Sequence, residues 1–407
     1  MEKGYVTQFT RTVIGNGSIF APVDIWRPRR KILAPAFSMK NLNQFVKVFN
    51  KQSMIMADML EPMAGGADFS VWSYFNTYTF DSVCETTLGI DLNSQKNPEH
   101  SFLAAFDWLS QDMAKRMTSP WLHPDFVYQR LPTYKKFVYH RQNMHDFFDE
   151  IIQMKRKELD AIQQGGKKTI STRTFFDMII ESSGRLERRY SDLELREELM
   201  MIVMAGTDTS AVGASFAAAM LARHPHIQEK LHNELDMIFG DSNRDLTEED
   251  LPKLKYMEAV VKETLRLYPP VPITAREVTD DVTLPSGTTL VNGVTVLLNI
   301  WAIHRNPTFW GADAEQFRPE RFLEGPLKHP SQFQPFSLLM RNCLGYKYAM
   351  MSTKTMLANM LRRYRILPPS HMDEHELQEP LKVSYDVMMR DIDDYPSSTD
   401  SSITNHF

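Results

Sequence analysis

The 407-residue chain predicts a mainly α-helical fold with a small, partly antiparallel sheet set to one side. Three observations predict it. An apolar run covers residues 199–222. Two further segments, 254–267 and 346–363, carry apolar residues at helical spacing. One short region, 289–298, alternates as strands do. At 43% hydrophobic residues, the chain can bury one large core or two smaller ones. A net charge of −5 gives no footprint for nucleic acid. The two cysteines, Cys84 and Cys343, cannot build a disulfide framework, so a reducing compartment is expected. The 25 methionines suit an adaptable apolar interior. No internal repeat and no signal peptide are visible.

In chain order, residues 80–90 form an apolar stretch that makes Cys84 an inert core thiol. The run at 199–222 is long enough to cross a bilayer. Asp208 near its middle would cost roughly 2.5–3.5 kcal/mol on insertion. Gly206, Thr207, Thr209 and Ser210 weaken that reading further. Upstream, Ser191-Asp192-Leu193-Glu194 has the capping-box pattern. The spacing therefore predicts one helix over 192–223, about 48 Å long, buried in a core. Within it, Thr209 is expected to bond back to a carbonyl one turn earlier. Gly206 is expected to leave room for something lying flat on the helix. The Asp208–Thr209 pair is either a satisfied kink or an acid–alcohol proton relay.

Thr247-Glu248-Glu249-Asp250 resembles a second capping box, placed before the amphipathic stretch 254–267. Tyr268-Pro269-Pro270 ends that stretch. Glu263 and Arg266 share a helix face at i and i+3, a pattern most often found as a weak surface ion pair. Asn292-Gly293, between 289–291 and 294–298, predicts a hairpin. Residues 305–336 read as irregular. Cys343 then stands before the helix 346–363. The positive end of that helix should lower the thiol pKa and favour a thiolate that can ligate haem iron. The competing reading is a small buried hydrophobe.

The order of these pieces carries a resemblance. Trp26-Arg27-Pro28-Arg29-Arg30 precedes Pro35-Ala36-Phe37-Ser38. Then come Ala205-Gly206-Thr207-Asp208-Thr209-Ser210, Glu263-Thr264-Leu265-Arg266, Pro319-Glu320-Arg321-Phe322, and Phe336 to Gly345 around Cys343. Each motif alone is weak, but five in order are specific. From about residue 26 to 387 the chain resembles the cytochrome P450 haem-thiolate monooxygenases, most closely the animal family-4 clan, with an insect member as the finer expectation.

The resemblance implies a P450 haem domain over 1–385 and a polar tail at 386–407 expected to be disordered. It implies non-covalent haem b with Cys343 as axial thiolate and metal ligand. Trp26, Arg30, Arg276 and Arg341 would meet the propionates, with Ala205, Gly206, Phe336 and Gly345 also lining the cofactor. Asp208 and Thr209 would deliver protons to dioxygen. Glu263, Arg266 and Arg321 would form a structural triad. The implied substrate is an apolar small molecule. The implied electron source is NADPH-cytochrome P450 reductase, with cytochrome b5 as a candidate second donor. The implied location is the cytosolic face of the endoplasmic reticulum membrane. Two rivals are a haem-thiolate isomerase or dehydratase working on a peroxide, and a haem-free interaction protein.

Three departures from the family pattern stand out. Leu339 occupies the glycine position of the cysteine loop, where a side chain at positive φ would be strained. Ala205 stands where many family-4 members carry an ester-forming Glu. The expected chain starts after the family's membrane anchor and first elements. Residues 118–137, expected to supply pocket wall, carry no readable specificity code.

Overall fold

The computed structural model describes residues 2–4, 7–98, 100–163, 173–185 and 190–370. The proposed tail at 386–407 lies outside them. The predicted long helix forms over Asp192–Arg223, with its N-terminus closed by the predicted box. Ser191 Oγ accepts from the Glu194 amide at 3.2 Å, and Glu194 Oε2 accepts from the Ser191 amide at 3.0 Å. Each orphan donor of the first turn so satisfied spares the helix about 1 kcal/mol. The helix is apolar over most of its surface because most of it is enclosed, with Ala205, Gly206, Asp208 and Thr209 half-buried. It packs against helices Trp72–Leu88, Pro132–Gln163, Lys255–Leu267 and Tyr346–Leu361. Met200, Met201, Met204 and Met220 fill its contacts. Cys84 lies fully buried in Trp72–Leu88, as expected.

Gly206 does not leave an open shelf. A Cβ there would meet Val83 Cγ2 at 2.7 Å, so the glycine lets the helix Trp72–Leu88 approach closely. The small side is spent on helix packing, and the expectation of free room at Gly206 is corrected.

Helix Tyr346–Leu361 packs on helix Val46–Leu60. Polar side chains lock that contact. Asn359 Nδ2 donates to Asn50 Oδ1 at 2.9 Å and to Ser53 Oγ at 2.8 Å. The Tyr78 hydroxyl donates to Ser352 O at 3.1 Å. Phe49, Phe75 and Met356 are fully buried around it, each contributing about 1.5–3 kcal/mol. The segment that follows Cys343 is therefore held rigidly.

The small antiparallel β region forms as expected, but its hairpin lies elsewhere. Strand β1 (Ile273–Glu277) pairs antiparallel with β4 (Thr295–Asn299), and β2 (Val282–Thr283) pairs with β3 (Thr289–Leu290). Asn292-Gly293 is not a hairpin tip. The Gly293 amide donates across to Val278 O at 2.7 Å, extending the outer ladder. The chain turns instead near Gly287, at φ +85°. The inner pair nests within the outer one, so the alternating runs on either side of Asn292-Gly293 belong to different ladders. The expected box at 247–250 is also reassigned. Asp250 Oδ2 accepts from the Thr247 amide at 3.1 Å and from its hydroxyl at 3.0 Å, closing a turn of its own. The next helix begins later, at Lys255.

Candidate active site

Cys343 sits two residues before Gly345, which caps helix Tyr346–Leu361. The loop before it is fastened by backbone bonds. The Cys343 amide donates to Phe336 O at 2.8 Å and the Asn342 amide to Leu339 O at 3.1 Å. The turn requires positive φ at Ser337, +58°, and at Leu339, +59°. Leu339 therefore carries the strain expected from its place in the motif, roughly 1–2 kcal/mol for an L residue. Its side chain is 80% exposed and Met340 is 57% exposed, so neither gains much by burial.

The thiol does not behave as the helix-end argument expects. Burial pushes the Cys343 pKa up, while a hydrogen bond from the Gly345 backbone and the Arg30 charge pull it down, and burial wins. The desolvation penalty on the thiolate exceeds the help from one amide and one guanidinium. A bound metal cation reverses that balance, because a coordinating thiol is deprotonated outright. Although enclosed by protein, Cys343 keeps accessible surface of its own. Cys84 has no such surface, and burial raises its pKa well above the ordinary value.

Three arginines surround the loop. Arg30 Nη1 donates to Asn342 O at 2.9 Å and Nη2 to Asn342 Oδ1 at 2.6 Å. Arg276 Nη1 donates to Ala275 O at 2.7 Å, and Nη2 reaches Ser337 Oγ at 3.4 Å. Arg341 Nη2 donates to Ala21 O at 2.9 Å, and its guanidinium lies 4.2 Å from the Trp26 ring centroid. Its Nε is buried without a hydrogen-bond partner among the described residues. Burial lowers all three pKa values, that of Arg341 to about 10, with Arg276 and Arg30 adding repulsion and Glu2 opposing. Among the described residues none of the three is ion-paired to a carboxylate. Three cations gathered in a low dielectric around one open thiol suit a dianionic ligand with a thiol-binding metal. No three His, Cys, Asp or Glu side chains cluster as a metal site among the described residues, so such a metal would bring its own ligands. Haem, with two propionates and four ring nitrogens, fits this donor set.

Asp208, Thr209 and Ala205 lie where the long helix surface opens, half-buried among buried neighbours. Thr209 Oγ1 donates to Ala205 O at 2.7 Å, the predicted back-bond. These residues form a group of their own, and the long helix is tied to the cysteine loop closer to its start, at Glu198, through a link not foreseen from the sequence. Ser18 Oγ donates to Glu198 Oε1 on the long helix at 2.8 Å, while Ser18 O accepts from Arg341 at 3.3 Å. Arg29 is buried against Glu194, Glu197 and Glu198 at 3.0–3.3 Å. The only sequence signal was the Gly15-Asn16-Gly17-Ser18 stretch. A Cβ at Gly15 would lie 2.3 Å from Glu197 Oε1.

The triad is fully assembled. Arg266 Nε donates to Glu263 Oε2 at 2.7 Å, with both side chains at 0% exposure. Arg321 Nε meets Glu263 Oε1 at 3.2 Å and Arg321 Nη2 meets Asp313 Oδ2 at 2.8 Å. The surface reading of Glu-x-x-Arg is thus excluded. His304, also missed, extends the network. Burial depresses its pKa to about 4, so it is neutral. Its Nε2 accepts from the Gln334 amide at 2.8 Å, which leaves Nδ1–H to donate to Arg266 O at 3.0 Å. The Ser337 amide in turn donates to Gln334 O at 3.0 Å, reaching the cysteine loop.

Known proteins match this chain over nearly its whole length. The cytochrome P450 family model matches residues 1–390. Cytochrome P450 4V2 of Mus musculus is 31% identical over 402 residues, covering 96% of this chain and 74% of the relative. Cytochrome P450 4c3 of Drosophila melanogaster is 31% identical, covering 90% and 71%. Cytochrome P450 4F11 of Homo sapiens is 34% identical, covering 88% and 70%. With the thiol, the cationic cluster and the buried triad in place, these matches show that the chain is a haem-thiolate monooxygenase of the cytochrome P450 family, similar to its family-4 members.

Proposed function

We propose that Cys343 is the axial thiolate of a non-covalent haem b, and that the enzyme inserts one oxygen atom into an apolar small molecule of fatty-acid, terpenoid or xenobiotic type. The observation that carries the assignment is the accessible Cys343 thiol, bonded by the Gly345 backbone and flanked by arginines that have no carboxylate ion pair among the described residues. Haem supplies the oxygen-activating redox chemistry when bound. This chain's residues do the rest. Arg30, Arg276 and Arg341 would hold the two propionates by charge-assisted hydrogen bonds, with the Trp26 ring beneath Arg341. Gly345 N–H bonds the sulfur. Thr209 commits its own proton to Ala205 O, so its oxygen presents lone pairs. It holds a donor in place and hands on a proton only by swinging away from Ala205. Asp208 is the neighbouring carboxylate that exchanges that proton with solvent. Ala205 supplies no carboxyl for an ester to the haem. Electrons come from NADPH through cytochrome P450 reductase, with cytochrome b5 as a second donor, at the cytosolic face of the endoplasmic reticulum. The haem domain spans 1–385.

Reduced protein treated with carbon monoxide should show the long-wavelength Soret band of thiolate ligation, and Cys343→Ser should lose it. An equal band in that variant overturns the ligand assignment. Thr209→Ala should load haem normally yet divert NADPH electrons to peroxide. Unchanged coupling removes the relay and favours the peroxide-isomerase reading.

A further inference from the structure

Residues 2–4 lie beside the sheet. The Glu277 amide donates to Glu2 O at 3.0 Å, an antiparallel bridge on the free edge of β1. Antiparallel register then sets Lys3 opposite Arg276, on the same face, and directly opposed Cβ atoms lie about 4.5–5.5 Å apart. Gly4, at φ +82°, brings the segment down onto β4, where a Cβ would meet Thr295 Oγ1 at 3.3 Å. Glu2 Oε1 accepts from the Val23 amide at 2.9 Å, which ties the segment to the helix carrying Trp26 and Arg30. Like charges placed opposite each other across a ladder are unfavourable, and no ion pair to Lys3 occurs among the described residues. Burial, Arg276 and Arg341 lower the Lys3 pKa to about 8. Among the described residues, the one carboxylate that acts on the group of Lys3, Arg30, Arg276 and Arg341 is Glu2, through Arg341. Three positive charges are left over, the number that two propionates and a thiolate would neutralise.

We propose that Lys3 is a fourth cofactor-anchoring cation, delivered by the 2–4 edge segment to the propionate nearest Arg276. The inference rests on the haem reading above and names one further residue of that site. A lysine held opposite Arg276 is a conflict in the protein alone and a charge-assisted bond once a carboxylate lies between them.

The test is equilibrium haem binding by the full chain, read by absorbance and by the rate of haem transfer to apomyoglobin. Lys3→Met should bind haem about 10- to 100-fold more weakly, the loss of one hydrogen bond to a charged group, while Lys3→Arg retains affinity. Haem dimethyl ester, whose propionates are uncharged, should bind wild type and Lys3→Met equally. Unchanged haem affinity in Lys3→Met overturns the proposal while leaving Cys343 ligation intact. A deficit that persists with the diester also overturns it, because Lys3 would then be supporting the fold. Failure of wild type itself to bind haem overturns the haem reading instead.

Discussion

Arg266 and Arg341 are both buried arginines that donate to backbone carbonyls, yet their charges are balanced differently. Arg266 has Glu263 at 2.7 Å, and Arg321 closes the group with Asp313. Arg341 has an aromatic ring, two carbonyls and other cations. The first network is complete within the polypeptide. The second is complete only when an anion arrives. Buried charge that is paired internally serves the fold, and buried charge left short of a counter-ion marks a binding site.

The largest effect should come from breaking the complete network. Glu263→Gln strands the buried Arg266 guanidinium and leaves Arg321 with Asp313 alone, and should lower stability by about 3–5 kcal/mol, read as the urea midpoint of the haem-free and haem-loaded protein alike. Arg341→Met should act the other way round. Stability without haem should hold or rise, because an under-paired cation is replaced by an apolar chain of similar length, while haem affinity falls about 10- to 100-fold. A loss of haem-free stability as large as that of Glu263→Gln would erase the distinction between the two networks. The smallest effect belongs to the turn between them. Leu339→Gly should relieve left-handed strain and, net of the extra freedom of glycine in the unfolded chain, stabilise by about 0.5–1 kcal/mol. A lower melting temperature would mean that leucine supports the loop in a way its 80% exposure does not suggest.

What the sequence made legible was local. The long helix could be bounded correctly because its start lies in four residues, Ser191 to Glu194, and its burial in its own composition. Leu339 could be singled out because the turn's demand for positive φ is a property of one residue. The misreadings concern partners distant in sequence. Asn292-Gly293 looks like a hairpin tip until Val278 claims the Gly293 amide. Gly206 looks like an open shelf until Val83 fills it. Arg29 is one residue from Arg30, but about 100° around the helix, so it serves the carboxylates of the long helix while its neighbour serves the cysteine loop. Nothing in its local spacing separates those fates. The direction of the Cys343 shift was missed because burial, which a sequence does not show, outweighs the helix end.

The cationic cluster also has a place in time. Arg341 reaches back 320 residues to Ala21, and Arg30 reaches forward 312 residues to Asn342. At about 5–20 residues per second of synthesis, roughly 15–65 s separate the appearance of the two halves. The Trp26 helix must wait, its site-facing surface unmatched, until the cysteine loop leaves the ribosome. Haem capture therefore falls at the end of the chain's biogenesis, after the helices that frame it have been made.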